Sequence, residues 1–182
     1  MDERRAEMAV LPQHVRDEHT ELVSRSEVLR RVADSIGAFT QAESIQEGVE
    51  QAYTFLMHHL IPHAQAEEQV LYPTVGKLLR TLEATNTMSR DHLEVIRLTV
   101  ELEALRLNLC DPTLTESDEQ ALRRVLYGLY AIVRLHLAKE EEIYLPILEA
   151  HLHAEEVDRM VEAMERTVNE AKSNVKMIAT GK

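Results

Sequence analysis

Residues 61–75 read IPHAQAEEQVLYPTV and residues 134–148 read RLHLAKEEEIYLPIL. In each, an imidazole and a carboxylate stand four positions apart, His63 with Glu67 and His136 with Glu140, and a proline follows. Residues four apart on an α-helix share a face, so the two members of each pair point the same way. One such pair is ordinary. The second lies 73 residues further on, and the same offset relates Val70 to Ile143 and Pro73 to Pro146.

The offset extends to the helices that precede these stretches. Val15, His19, Leu22, Ser26, Leu29, Ala33 and Ile36 step alternately by four and three, the inward seam of a bundle helix. Moving on by 73 residues gives Met88, His92, Val95, Thr99 and Leu102, with histidine at the same seam position. The chain therefore reads as a two-helix unit written twice. At constant period the second seam runs Val49, Ala52, Leu56, His59, His63, Glu67, Val70, Thr74, and the fourth runs Leu122, Val125, Leu129, Ile132, His136, Glu140, Ile143, Ile147.

Local chemistry sets the expected boundaries. Gly37 lies near the end of the first helix, and Ser44 with Glu47 resembles a capping box opening the second. EATNT (83–87) is the expected turn between the second and third helices. CDPTLTESD (110–118) separates the third from the fourth, with Thr115 and Asp118 as a cap-like pair. Pro62 removes a backbone donor inside the second helix, which predicts a kink or restart just before His63. Val157, Met160, Val161, Met164 and Val168 predict a fifth helix packed outside the bundle. The fold class is all-α: a four-helix bundle over residues 1–150 (core 12–150), made of a helical hairpin present twice, with 151–182 as a C-terminal helical extension.

Composition narrows the function. Five Gly and five Pro in 182 residues leave little material for hairpins, and this length suits one buried core. A net charge of −12 argues against a surface for nucleic acid or anionic lipid, which needs clustered Lys and Arg. Cys110 is the only cysteine, which excludes an intrachain disulfide and a thiolate metal cluster, and nothing near it in sequence activates it. The N-terminal stretch has no signal-like apolar core and no segment reaches membrane-spanning length, so the expected location is cytoplasmic.

The seam histidines and glutamates stand where Leu and Ile belong. A buried carboxylate without a partner costs several kcal/mol, so Glu67 and Glu140 require compensation. Four imidazoles and two carboxylates meeting in a bundle core match a pair of divalent or trivalent metal ions. Their nitrogen and oxygen donors suit iron and, less specifically, manganese or zinc, and facing glutamates can bridge two ions.

The order of His19, HAQAE, His92 in SRDHLEV, and HLAKE, followed by YP and LP, resembles the hemerythrin-like (HHE cation-binding) proteins over about residues 12–150. The resemblance implies an up-down-up-down four-helix bundle around two iron ions, an oxo- or hydroxo-bridged non-haem centre. On that pattern His19 and His63 bind one iron, His92 and His136 the other, and Glu67 and Glu140 bridge them. The ligand it implies is small, dioxygen, hydrogen peroxide or nitric oxide, with catalase-like peroxide decomposition as the candidate enzymatic activity. Oxygen-carrying members have a further histidine four residues after the third-helix ligand, where this chain has Ile96, with Val23 at the equivalent place in the first helix. His59 is the candidate for an additional imidazole ligand. Tyr144 is the candidate hydrogen-bond donor to a bridging carboxylate. Glu68, Glu141 and Glu142 read as a solvated acidic rim, and His14, His58, His151 and His153 as surface residues. Two other classes remain beside this one: an iron- or oxygen-responsive regulator acting on a protein partner through the outer helix, and a metal-free structural bundle.

Overall fold

The computed structural model describes residues 10–37, 42–81, 83–109 and 115–180. It is helical, with no strand among the described residues. The first rod is α1 (Val10–Ser35). The second is assembled from α2 (Ala42–Phe55), α3 (Ile61–Ala66) and α4 (Tyr72–Leu78), joined by π-helical turns at Leu56–Leu60 and Glu67–Leu71. The third is α5 (Asn86–Asn108). The fourth is α6 (Glu116–Lys139) and α7 (Leu145–His151) with a π-helical turn at Glu140–Tyr144, and α8 (Ala154–Thr180) comes after it, outside the bundle. Around the bundle each rod packs on its two sequence neighbours, and the first closes against the fourth. None of the described helices is long and apolar enough to cross a membrane.

The seams of the first and third rods are as the 4–3 spacing predicts, every position from Val15 to Ile36 and from Met88 to Leu102 being buried. In the second and fourth rods the histidines and glutamates His63, Glu67, His136 and Glu140 are buried as predicted, and the spacing breaks around the π turns. Each of the three turns is followed, with one residue between, by a proline: Pro62, Pro73 and Pro146. The residue before each proline, Ile61, Tyr72 or Leu145, donates its N–H to the carbonyl five positions back, at Leu56, Glu67 or Glu140. A proline ring crowds the carbonyl four residues earlier and offers no N–H in return. Widening the preceding turn relieves that crowding at the cost of one inserted residue. Every residue downstream is then turned by about 100° from where a uniform helix would put it.

This rotation corrects several sequence expectations. Leu60, Leu71, Tyr144 and Leu148 are buried, while the predicted seam positions His59, Val70 and Thr74 are only half-buried and Ile143 is 50% exposed. The break expected at Pro62 is the first π turn, and its counterpart in the fourth rod, around Leu135, stays α-helical. Ser44 lies inside α2, which is already helical at Ala42, so Ser44 and Glu47 do not cap it. The Thr115 and Asp118 box is formed, with Asp118 N–H donating to Thr115 Oγ1 at 3.2 Å and Thr115 N–H to Asp118 Oδ2 at 3.1 Å. Cys110 lies outside the described residues, as does the side chain of His14.

The buried residues form two apolar clusters. One contains Leu29, Val49, Leu56, Leu102, Leu126 and Leu129; the other contains Val15, Leu71, Val75, Met88, Leu148, Met160 and Met164. The second draws on short α4 and α7 and is completed by Val157, Met160 and Met164 of α8. The seam histidines and glutamates lie in the layer between the two.

The second rod ends with Arg80 at φ 55°, where Arg80 N–H donates to Lys77 O and Thr81 N–H reaches back to Gly76 O at 3.0 Å. That conformation suits glycine and strains a residue with a Cβ. Arg80→Gly is expected to raise unfolding stability by about 1 kcal/mol, read as a shift in the urea midpoint with unchanged slope.

Candidate metal centre

Six side chains from the four rods converge in the layer between the cores. His19 comes from α1, His63 and Glu67 from the second rod, His92 from α5, and His136 and Glu140 from the fourth. All six are buried, with both glutamates at 0% exposure. Two groups of donor atoms form: His19, His63, Glu67 and Glu140 lie within 4.8 Å of one another, and so do Glu67, His92 and His136. Glu67 belongs to both. Its Oε1 is 2.9 Å from His63 Nε2 and 3.7 Å from His19 Nε2, and its Oε2 is 3.2 Å from His92 Nε2 and 3.9 Å from His136 Nε2. Glu140 Oε2 is 3.5 Å from His19 Nε2, and its Oε1 is 3.6 Å from His136 Nε2.

All four Nε2 atoms thus face the carboxylates, and each Nδ1 faces a second acid. His19 Nδ1 is 2.8 Å from Glu141, His92 Nδ1 2.8 Å from Glu68, His136 Nδ1 3.2 Å from Asp91, and His63 Nδ1 3.6 Å from Glu18. An acid at Nδ1 keeps the proton there and leaves the Nε2 lone pair pointing inward, the arrangement that orients imidazole toward a cation. These acids are themselves held: Glu141 accepts from Arg16 at 3.0 Å, Asp91 from Lys139, and Glu68 from Ser89 at 2.9 Å. Glu68 and Glu141 are therefore tied to the cluster instead of forming a free rim; Glu142 is exposed. The four acids obey the 73-residue offset, Glu18 with Asp91 and Glu68 with Glu141. The repeat thus carries a signal for them that seam reading misses, because none of the four lies on a seam.

Tyr72 is a further residue that seam reading misses. Its hydroxyl donates to Glu140 Oε1 at 2.8 Å and lies 3.2 Å from His136 Nε2, while its ring stacks on His92 at 5.5 Å. Tyr144, expected in that role, is turned away by the π turn that ends on it and donates instead to the carbonyl of Ala84 at 3.0 Å. His59 is not brought into the cluster. The π turn before Pro62 leaves it half-buried beside Phe55, with Arg25 Nη1 3.4 Å from its Nε2. His58 is likewise half-buried, and His151 and His153 are exposed. Ile96 is 43% exposed and Val23 packs against the apolar core that contains Leu29, so neither faces the donors.

The charges in the layer are unevenly matched. Burial opposes ionisation of His63 more strongly than any one neighbour favours it, yet Glu67, Glu18 and Glu140 together hold the imidazole well above its usual pKa. Burial likewise opposes ionisation of His19 and His92, and the surrounding acids together raise both, Glu67 with Glu140 for His19 and Glu67 with Glu68 and Glu140 for His92. Glu67 is held well below the usual carboxylate range, because its histidine neighbours overcome its burial. Glu140 is pushed the other way, to about 7, by burial and by the charge of Glu67. Burial together with both glutamates raises the Tyr72 phenol, which stays a proton donor.

His19 Nε2, His63 Nε2, both oxygens of Glu67 and Glu140 Oε2 are buried and make no well-formed hydrogen bond, even where Glu67 approaches His63 Nε2 at 2.9 Å and His92 Nε2 at 3.2 Å. Buried polar atoms are nearly always satisfied, and five orphans in one layer, all lone-pair donors, are the set that a cation satisfies. His92 Nε2 and His136 Nε2 lie 2.9 Å apart. Two nitrogens at right angles, each about 2.1 Å from one ion, would stand about 3 Å from each other. The donor set fits.

The flank of the cluster opens to a cavity of about 190 Å³ lined by Glu18, Glu21, Leu22, His59, His63, Val168 and Lys172. A larger cavity of about 650 Å³, bordered by Arg25, Glu47, Phe55 and His59, touches none of the six inner donors.

A family model described as hemerythrin HHE cation binding domain matches residues 10–148, well over half of the chain and all four rods, but not α8. Comparison with curated proteins and with solved structures finds no match.

The shifted groups fix a pH dependence for metal-depleted protein. Glu140, raised from 4.5 to about 7, binds a proton on folding, so its contribution is complete below about pH 4.5 and lost as pH rises through 7. His63, also raised, acts in the same direction above its ordinary 6.5. Glu67, lowered, loses its contribution only on the acid side, below 4.5. Metal-depleted protein is therefore expected to melt at a lower temperature at pH 8 than at pH 6. Ferrous iron added anaerobically should raise the melting temperature more at pH 8, since a cation needs these donors deprotonated.

Proposed function

The chain belongs to the hemerythrin HHE cation-binding domain family, and on that premise we propose that it is a di-iron protein that binds or reacts with small oxidants, dioxygen or hydrogen peroxide. The observation that carries this reading is the convergence of unsatisfied buried donors in two groups that share Glu67. His19 and His63 would hold one ion and His92 and His136 the other, with Glu67 and Glu140 between them. When bound, a pair of iron ions supplies a reversible change of oxidation state and positions at which a small oxidant can bind.

The chain's own residues have separable tasks. Glu141, Glu18, Glu68 and Asp91 retain the Nδ1 protons and fix the orientation of the four rings. Tyr72 holds Glu140 by donating to Oε1 and keeps a protic hydroxyl beside the His92 and His136 pair. The apolar layers above and below keep bulk water from the donors. The third rod has Ile96 where oxygen-carrying members have a further imidazole, and the first rod has Val23 at the equivalent place, which favours reaction with an oxidant over its carriage.

Elemental analysis of aerobically purified protein should give about two irons per chain, with near-ultraviolet charge-transfer absorption. The iron-loaded protein should convert hydrogen peroxide to water and dioxygen, and His92→Ala should abolish both iron retention and dioxygen release. Iron at background after anaerobic ferrous reconstitution, or equal dioxygen release by His92→Ala, would defeat the reading. Tyr72→Phe leaves Glu140 Oε1 without its donor and is expected to weaken iron retention about 10- to 100-fold in a chelator competition, with His59→Ala unchanged.

A further inference from the structure

The outward face of α5 carries Leu93, Ile96, Val100 and Leu107, which are 66%, 43%, 61% and 63% exposed. Ala104, also exposed, lies among them. At 3.6 residues per turn these five positions fall within an arc of about 80° along about four turns of helix. The other faces of α5 pack on α6 and α2, and α8 lies against α3 and α1, so no described helix covers this strip. Single exposed leucines are ordinary, whereas a continuous apolar strip rimmed by charge marks an interaction surface.

We propose that the strip is the interface of a two-fold symmetric homodimer, in which α5 lies antiparallel on α5 of a second copy with Val100 at the axis. The strip is its own complement about that residue. Leu93 and Leu107 each lie seven positions from Val100, about 10.5 Å along the helix, so each meets the other's counterpart. Bulky Ile96 and small Ala104 each lie four positions away and stand at the same level.

The charges agree with this register. Arg97 and Glu101 flank the strip on one side and already pair at 3.2 Å within their own helix. A two-fold axis through Val100 keeps that flank together and reverses its direction. Arg97, three residues before the axis, then faces the second copy's Glu101, one residue beyond it, with an axial offset of about 3 Å. The contact is made twice, once from each chain. An unrelated partner would have no reason to mirror this sequence about one residue, and isologous contacts require such self-complementarity. The strip owes nothing to the chemistry of the buried centre.

Light scattering coupled to size exclusion should give wild-type protein a mass of twice the 20.8 kDa of one chain. Val100→Glu should reduce it to a single chain at every concentration, with unchanged helical circular dichroism. In a Cys110→Ser background, Val100→Cys should cross-link chain to chain under mild oxidation, because residues at the axis come within disulfide reach. Leu79→Cys, exposed but off the strip, should not. A single-chain mass for wild type at submillimolar concentration overturns the proposal. So does a double mass that survives Val100→Glu, or cross-linking that is absent at position 100 or equal at position 79.

Discussion

Everything in this molecule turns on two carboxylates, Glu67 and Glu140, held at 0% exposure between two apolar cores. Each ionised carboxylate in such a place costs several kcal/mol unless its oxygens are engaged. The chain surrounds them with four imidazoles and one phenol, then backs every imidazole with a further acid. This does not neutralise the layer: among the described residues Glu67 and Glu140 have imidazoles and a phenol beside them and pair with no Lys or Arg, while Arg16 and Lys139 reach the outer acids Glu141 and Asp91. Protein side chains alone leave the site short of positive charge. Metal-free protein meets the deficit with protons: Glu140, raised by burial and by the charge of Glu67, and His63, raised by the acids around it, both keep a proton to higher pH than usual. A cation supplies the same charge and also satisfies the orphaned lone pairs, which protons on the rings cannot all do at once.

The three π turns are the backbone's part of the arrangement. In the turns at Glu67–Leu71 and Glu140–Tyr144 the first residue is a buried glutamate of the centre, and its carbonyl accepts the long bond from the residue before the proline. The widened turn ends the regular seam at the glutamate and re-aims the side chains downstream. In the second rod it brings Tyr72 into the layer and makes Leu71 and Val75 core residues of the next storey. Proline two residues into the next α segment thus acts at a distance, through the crowding it would otherwise impose on the preceding turn.

That coupling explains how much of the structure is legible in the sequence. Where the helices are regular, as in α1 and α5, every position that apolar spacing marks as inward is buried, including His19 and His92, while Val28, Val32 and Leu98 widen the buried face beyond the seam. His63, Glu67, His136 and Glu140 are legible because each pair lies within one continuous α-helical stretch and its joining residue. Seam reading fails around each proline-driven insertion: it places His59 inward where the residue is half-buried, places Ile143 inward where it is exposed, and gives Tyr144 the role that belongs to Tyr72. The prolines themselves are visible. A kink is expected at Pro62 only, yet the same chemistry operates before Pro73 and Pro146. The acids behind the histidines are hidden for a different reason, since hydrophobic periodicity carries no information about residues that serve the core from its edge.

The two halves of the repeat have diverged where it affects the centre. The residue offset by 73 from Tyr72 is Leu145, so a phenol stands beside the His92 and His136 group and none stands at the corresponding place by His19 and His63. The π turn before Pro62 has no counterpart in the fourth rod, and it sets His59 beside a cavity whose wall includes His63. The far wall of that cavity is Val168 and Lys172 of α8, a helix beyond the matched family region. A duplicated frame thus carries two inequivalent positions. One is closed in by a stacked tyrosine; the other lies next to a cavity that this chain's own additional helix helps to shape. Symmetry positions the six donors, and the departures from it determine from which side they can be approached.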